Sequence, residues 1–409
     1  MAWIVAIEVL VKIGLLLGGL MFAAAYLVLV ERWIAAWVQD RLGPNRVGIP
    51  LTRIRLFGLG QPIADGVKFI CKEEFTPAHV DRVLYTLAPV MMLVAALAAF
   101  AVIPFGSVLP GFTLPDGTVY QIQLVLLPGL DAGILLFLAF GGIGVFGVAL
   151  GGWASNNKYS FFGGVRSAAQ LISYEVPLGL SILAIVLAAG SLRLDRIILA
   201  QADTGWWNAF VQPLGFLVFL VAVCAEAGRL PFDLAEAEQE LVGGYHTEYS
   251  GMRLMMFLVS EFLHMIAASF LIVILFLGGW HFWGLTGSGL EVGWGGALLR
   301  VIVLVAKVFL VILGFMLVRW SWPRFRFDQL MDLAWKVLLS WGLIHVLLVA
   351  AWMYWANEWP VWTLAVANWV SLVVVWIVTA LISPPECDNR PRRELGPVGN
   401  VTPVAVSAA

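Results

Sequence analysis

Nine mostly apolar runs, each long enough to cross a bilayer, leave this chain few folds to choose from. They fall at roughly 4–30, 83–104, 131–153, 168–190, 207–230, 252–280, 296–318, 333–356 and 360–382. A spanning helix needs about 20 apolar residues. Inside lipid the backbone must satisfy its own hydrogen bonds, so only helices and closed barrels span. Runs of this length predict an all-α, polytopic transmembrane helix bundle of about nine spans. Composition agrees, because 12% of the residues are charged, half the roughly 25% of a soluble domain. The first run is too long for the core of a signal peptide, lacks a basic start and continues past Ala23-Ala24-Ala25. It reads as an uncleaved anchor. Residues 1–382 form a single transmembrane domain on this reading. Residues 383–409 are a polar, Pro-rich tail, expected to be disordered.

Two segments lie between spans without spanning. Residues 62–73 place apolar and charged residues at helical spacing, the pattern of an amphipathic helix lying in the membrane interface. Residues 231–242 open on Pro231, which suits a first helical position. Lys and Arg then set the orientation, since basic connections stay inside. The connection over 31–82 holds eight, the one over 105–130 holds none, and the tail carries Arg390, Arg392 and Arg393. Odd-numbered connections are the basic ones, which predicts an outside N-terminus and an inside C-terminus. A net charge of −2 gives no reason to expect nucleic acid.

Cys71, Cys224 and Cys387 are the only cysteines, with no CxxC pair. An iron–sulfur cluster needs four ligands, usually thiolates, so any such electron carrier belongs to another chain. No metal site is expected. Gly142-Ile-Gly144-Val-Phe-Gly147 fits GxGxxG. A dinucleotide site needs a strand before it and an acidic residue about 20 positions on, and this motif lies inside an apolar span. It reads as small residues that let helices approach closely.

Three features remain. The first inner connection carries Glu31-Arg-Trp-Ile-Ala-Ala-Trp-Val-Gln-Asp-Arg41-Leu-Gly-Pro-Asn-Arg46, then Gly60-Gln-Pro-Ile-Ala-Asp65-Gly-Val-Lys68. It is either a basic loop against lipid headgroups or a structured loop that receives an amphiphile, apolar tail in the bilayer and polar head among Arg and Asp. The inner connection over 225–251 holds six acids. Asp233 fits an N-cap with Glu236 at the capping-box position, but capping does not explain Glu238, Glu240 or Glu248. Finally, Glu175, Glu261, His264, Lys307 and His345 lie within spans, where a charge costs at least about 2.5–3.5 kcal/mol and is usually paired or functional. Glu8 and Lys12 read as a snorkelling pair near the outer end.

Taken in order, ERWIAAWVQDRLGPNRVG, GQPIADGVK, AQLISYEVP, AEAGRLPFDLAEAEQELVGGYHTEYSG and PRFRFDQLMDLAWK closely resemble the signature blocks of the H-type subunits of proton-pumping NADH:quinone oxidoreductase (respiratory complex I). The resemblance covers roughly residues 10–350. It implies a subunit of a translocating oxidoreductase, in a bacterial inner membrane, with ubiquinone or menaquinone as substrate. It also implies a peripheral iron–sulfur subunit and neighbouring membrane subunits as partners. By the same resemblance, Arg32, Arg41, Arg46, Asp65 and Lys68 match the quinone mouth, and Arg324, Arg326 and Asp328 match a loop facing the cavity. Glu175, Glu226, Asp233, Glu236, Glu238, Glu240, Glu248 and Glu261 match a proton-relay chain. The family's usual Lys is Trp33 here, a usual Tyr is Phe327, and shorter members lack the ninth span and the tail. The nearest rival is the related membrane anchor of energy-converting hydrogenases and formate hydrogenlyase. The Gly43-Pro44-Asn45-Arg46 turn and the dense acidic loop favour the quinone enzyme.

Overall fold

A computed structural model describes residues 2–48, 57–113, 119–234, 241–287, 289, 293–356 and 358–382. Eight of its helices are long and apolar enough to cross a membrane. They are α1 (Ala2–Val38), α3 (Arg82–Ala99), α4 (Gly133–Ala154), α5 (Lys158–Ala189), α9 (Gly251–Phe276), α10 (Trp294–Ser321), α11 (Phe327–Trp355) and α12 (Val361–Ile382). Shorter helices fill the rest: α2 (Gln61–Cys71), α6 (Leu194–Thr204), α7 (Asn208–Val211) and α8 (Pro213–Glu226). A two-residue ribbon, β1 (Phe112–Thr113) paired antiparallel with β2 (Val119–Tyr120), is the exception to an all-α polytopic bundle.

The fifth expected span is not one helix. Pro213 lacks the N–H a continuous helix would need there, and the segment breaks into α7 and the 14-residue α8. At 1.5 Å per residue α8 is only about 21 Å long. The segment nevertheless connects both ends of the bundle. Asn208 Nδ2 donates to Leu275 O at the end of α9 (2.8 Å), while Arg229, just past α8, reaches Glu31 near the end of α1. The connections expected to share a side do so. Asn157 donates to Glu248 (2.5 Å), Phe75 N to Ser250 Oγ (3.1 Å) and Phe325 N to Pro231 O (3.2 Å). A second expectation changes too. Pro231–Leu234 form a turn rather than the first turn of a helix. Residues 235–240, with Glu236, Glu238 and Glu240, and the tail 383–409 lie outside the described residues.

Local signals explain the helix ends. Asp81 caps α3 by accepting from Val83 N and Leu84 N (3.0 and 3.3 Å), and Asn157 caps α5 through Tyr159 N (3.0 Å). Such caps satisfy donors that a helix start leaves without partners. Gly190 stops α5 with φ +65°, a conformation that costs glycine little. Pro62 stands in the first turn of α2, where its missing N–H is harmless. Helix α1, 37 residues and about 55 Å long, exceeds a hydrocarbon core of about 30 Å. Its last turns therefore project beyond the apolar layer and carry Glu31–Val38 toward α2.

Helix α9 is the most buried of the eight; α1, α3 and α10 pack against it, while α11 and α12 pack chiefly on α5 and α8. Small residues set how closely α3, α4 and α5 pack. A Cβ on Gly147 would stand 2.9 Å from Met92 Cβ and 3.1 Å from Ala88 O, and one on Gly152 would stand 2.9 Å from Gly164 Cα. At the end opposite α2, Lys307 and Arg300 enter the bundle as cations. Lys307 Nζ donates to Leu277 O (2.6 Å), Gly279 O (3.0 Å) and His281 O (2.6 Å), just past the C-terminus of α9. Arg300 donates to the carbonyls of Thr286, Gly287 and Gly289. Cations favour helix C-termini, so Lys307 is a structural cap. His345 is structural as well, held by Asn368 of α12 (3.0 Å) and by the space that Gly215 leaves for its ring.

Candidate functional site

The α2 end of the bundle carries the first group of candidate residues. Arg32 projects from α1 toward Asp65 on α2, 2.8 Å away, and Gln61 Nε2 donates to the other Asp65 oxygen (3.0 Å). Both charges are partly exposed, so the pair contributes modestly to stability while fixing α2 against α1. Beside it opens a cavity of about 640 Å³, walled by Arg32, Ala36, Arg41, Gly43, Asn45, Arg46 and Gln61 among others. Arg41 and Arg46 are exposed at its rim. Lys68 is exposed on α2, one turn beyond Asp65, and is not among the wall residues. Trp33 explains the shape of the turn. Its Nε1 donates to Pro44 O (3.0 Å), and a Cβ on Gly43 would stand 2.5 Å from its ring. The indole thus pins the Gly-Pro-Asn turn, a role the charge pattern of the sequence did not reveal.

Along α1, from Lys12 to Val30, runs a larger apolar groove of about 680 Å³ facing Ile266 and Phe270 of α9 and Val305 and Ile312 of α10. It ends one residue before Glu31. Glu31 is buried and meets two guanidiniums, Arg319 of α10 and Arg229 after α8 (3.4 Å). Arg229 also stacks over Phe262, 4.4 Å from the ring centre. Sequence reasoning passed over this node. Its only signal was an acid directly following an apolar run. Arg324, Arg326 and Asp328 sit apart from the cavity. Arg326 and Asp328 form an exposed pair (3.5 Å), and Phe325, between Arg324 and Arg326, lies against Phe232 at the start of the acidic loop.

The second group is the acids. Glu175 of α5 and Glu226 at the end of α8 line one cavity together with His264 of α9. Glu261, one turn before His264, accepts from Tyr245 Oη (2.6 Å). Glu248 accepts from Asn157, and Tyr85 Oη donates to its backbone carbonyl (2.7 Å). Asp233 is partly buried in the turn after Pro231. The described acids therefore fall into two neighbourhoods: Glu175 and Glu226 around the cavity, and Glu248 and Glu261 in a polar–aromatic layer with Tyr85, Tyr245 and Tyr249. Glu8 and Lys12 pair with each other at the far end, where Tyr120 also donates to Glu8.

A protein-family model described as NADH dehydrogenase matches residues 11–350. The first of the H-type subunits of NADH-quinone oxidoreductase in Geobacter metallireducens is 46% identical over 344 residues, covering 84% of this chain and 95% of that protein. The H-type subunit of NADH-quinone oxidoreductase in Leptospira biflexa is 43% identical over 366 residues, covering 88% of this chain and 99% of that protein. In Rhodothermus marinus, NADH-quinone oxidoreductase subunit 8 is 43% identical over 350 residues, covering 82% and 94%. The match runs through both groups of residues described above. The chain belongs to the family of H-type subunits of NADH-quinone oxidoreductase, and is a multi-pass membrane component of that complex.

Proposed function

We propose that this chain forms the quinone entrance of its complex and part of the quinone site, and couples quinone reduction to proton translocation. One observation carries the first half: a paired Arg32–Asp65 and a charged cavity stand where the apolar groove along α1 ends. An amphiphile needs both surfaces, apolar for its tail and polar for its head. Ubiquinone or menaquinone as substrate brings electron- and proton-accepting chemistry. The chain's own contribution is positional. Arg32, Arg41, Arg46, Asp65 and Lys68 set the charge at the mouth, and Trp33 holds the turn that shapes it. Arg324, Arg326 and Asp328 add charge beside the start of the acidic loop.

The second half rests on Glu175, Glu226, Asp233, Glu236, Glu238, Glu240, Glu248 and Glu261 as a relay of carboxyl groups leading from that end toward neighbouring membrane subunits. Crowded carboxyl groups titrate as a coupled set, so charge arriving at one end moves protons along the rest. The basic connection over 31–82 and the acidic one over 225–251 share an end, which offers a docking face to a peripheral iron–sulfur subunit. With that face inside a bacterial inner membrane, the N-terminus is outside and the C-terminus inside.

The experiment separates the entrance from assembly. Arg32→Ala and Asp65→Ala should each lower quinone reduction by the intact complex about tenfold, the scale of losing about 1.4 kcal/mol of positioning. Reduction of a hydrophilic artificial acceptor should stay at the parental rate. Equal loss of both activities overturns the reading, because it marks failed assembly.

A further inference from the structure

Three titratable side chains from three helices converge on one glycine-lined stretch of α4. A Cβ added to Gly141 would stand 3.3 Å from Glu226 Oε1, one on Gly142 would stand 3.5 Å from Glu175 Oε1, and one on Gly144 would stand 3.3 Å from the His264 ring. These glycines differ from Gly147, whose missing side chain admits another helix. Here the missing side chains make room for polar side chains, and Gly141 and Gly144 line the space beside them. Two cavities result, of about 40 Å³ and about 10 Å³, and Gly141, Glu226 and His264 line both. A buried water takes about 10–15 Å³ of such space and two to four polar partners. The larger cavity therefore has room for roughly three or four waters and the smaller for about one.

The polar partners are present. Among the described residues, Glu175, Glu226 and His264 make no hydrogen bond or ion pair. Glu226 and His264 are partly buried, and both line the two cavities. Buried polar groups are hydrogen-bonded almost without exception, which leaves water in these cavities as their partner. The walls from α3 and α4 add no charge, contributing Met92, Ala99, Phe137 and the glycines. On α9 itself the nearest charge is Glu261, already bonded to Tyr245.

We infer that His264 carries protons between Glu226 and Glu175 through water held on the glycine face of α4. This rests on the relay reading above and adds to it a member that is not a carboxylate. The exchange balances. Protonated Glu226 gives its proton to a cavity water as that water gives one to the imidazole, leaving a carboxylate and an imidazolium. The imidazolium then returns a proton through water to ionised Glu175, leaving a neutral imidazole and a neutral acid. No proton is gained or lost, and one negative charge has moved from α5 to α8. The same steps run in reverse. Imidazole suits the role because its two ring nitrogens let it take up a proton on one side and give one up on the other.

The test uses the intact complex in its membrane. Glu226→Gln and Glu175→Gln first identify the carboxyl bands in the redox-induced infrared difference spectrum. His264→Asn keeps a hydrogen-bonding side chain but cannot take up a proton. It should move or abolish those bands and slow proton pumping with quinone about a hundredfold, the low end of the range for a lost proton-transfer group. Reduction of a hydrophilic acceptor should be retained. Parental pumping and unmoved bands in His264→Asn overturn the inference. If Glu226→Gln and Glu175→Gln also pump at the parental rate, the relay reading itself has failed; if they are impaired, only the role of His264 has. Gly141→Ala is a second probe that leaves His264 in place. It fills cavity space beside Glu226 and should slow pumping in an assembled complex, and parental pumping there also counts against water on this face.

Discussion

Two of the places where the bundle buries ionisable groups are built in opposite ways. At the end opposite α2, the Lys307 ammonium is wrapped by three carbonyls, and the Arg300 guanidinium by three more. Trp207 and Phe282 cover Lys307 with their rings at 4.7 and 5.6 Å. Around Gly141–Gly144, by contrast, Glu175, Glu226 and His264 face open space and have no partner among the described residues. Burial is therefore a poor guide to function by itself. A buried charge whose hydrogen bonds are all supplied by backbone is a structural device. Buried groups that face each other across space for water are free to exchange protons.

Lys307→Met is the largest test of this contrast. It removes the donor shared by Leu277, Gly279 and His281 while keeping side-chain length. Three buried carbonyls left without a partner cost at least about 3 kcal/mol together. The yield of assembled complex and its thermal denaturation temperature should both fall. Glu226→Gln, in the same measurement, should assemble normally, since an amide meets cavity water as well as an acid does. Equal losses in the two variants would erase the distinction between the two regions.

Glycines on α4 sharpen the comparison at smaller scale. Gly147→Ala drives a methyl group to 2.9 Å from Met92 and 3.1 Å from the Ala88 carbonyl. Overpacking of this kind typically costs about 1–3 kcal/mol, and reconstituted protein should denature at lower temperature. Gly142→Ala meets only Glu175, at an ordinary 3.5 Å, and should leave the denaturation temperature near the parental value. A larger shift from Gly142→Ala than from Gly147→Ala would contradict the division of this face into packing and cavity halves.

That division was not legible in the sequence, where Gly142, Gly144 and Gly147 form one motif and read as one packing surface. Which neighbour each glycine faces depends on how α3, α5, α8 and α9 arrange around α4. The spans themselves were legible, because the need to bury about 20 apolar residues writes each one locally. So was the break in the fifth, in retrospect, from Pro213. Lys307 was visible as a buried charge, but its carbonyl partners lie 26 to 30 residues earlier and come together only after α9 ends. At the mouth, Trp33 looked like a missing positive charge. Its contact with Gly43 and Pro44 shows instead a side chain chosen for shape, which a charge pattern cannot express. Glu236, Glu238 and Glu240 remain expectations from sequence.

The smallest expected effect concerns His281, in the loop that wraps the cation cluster. Burial comes first among the causes that hold its imidazole below the usual histidine range, followed by repulsion from Lys307. Its ring faces Thr286, and its own carbonyl is one of the three that hold Lys307. A lowered value in the folded state fixes the sign. Above an unfolded value of about 6.5, neither state binds the proton and the loop keeps its full stability. As pH falls below that value the unfolded loop takes up a proton that the folded loop refuses, so stability is lost. Amide hydrogen exchange over residues 277–287 should therefore quicken between pH 7.5 and pH 5.5 by more than the change in intrinsic exchange chemistry. His281→Asn should remove the excess while leaving the Lys307 contacts, which use backbone, in place. If exchange in 277–287 is insensitive to pH in the parental protein, the cation cluster does not hold this histidine neutral, and the loop is stabilised by its carbonyl contacts alone.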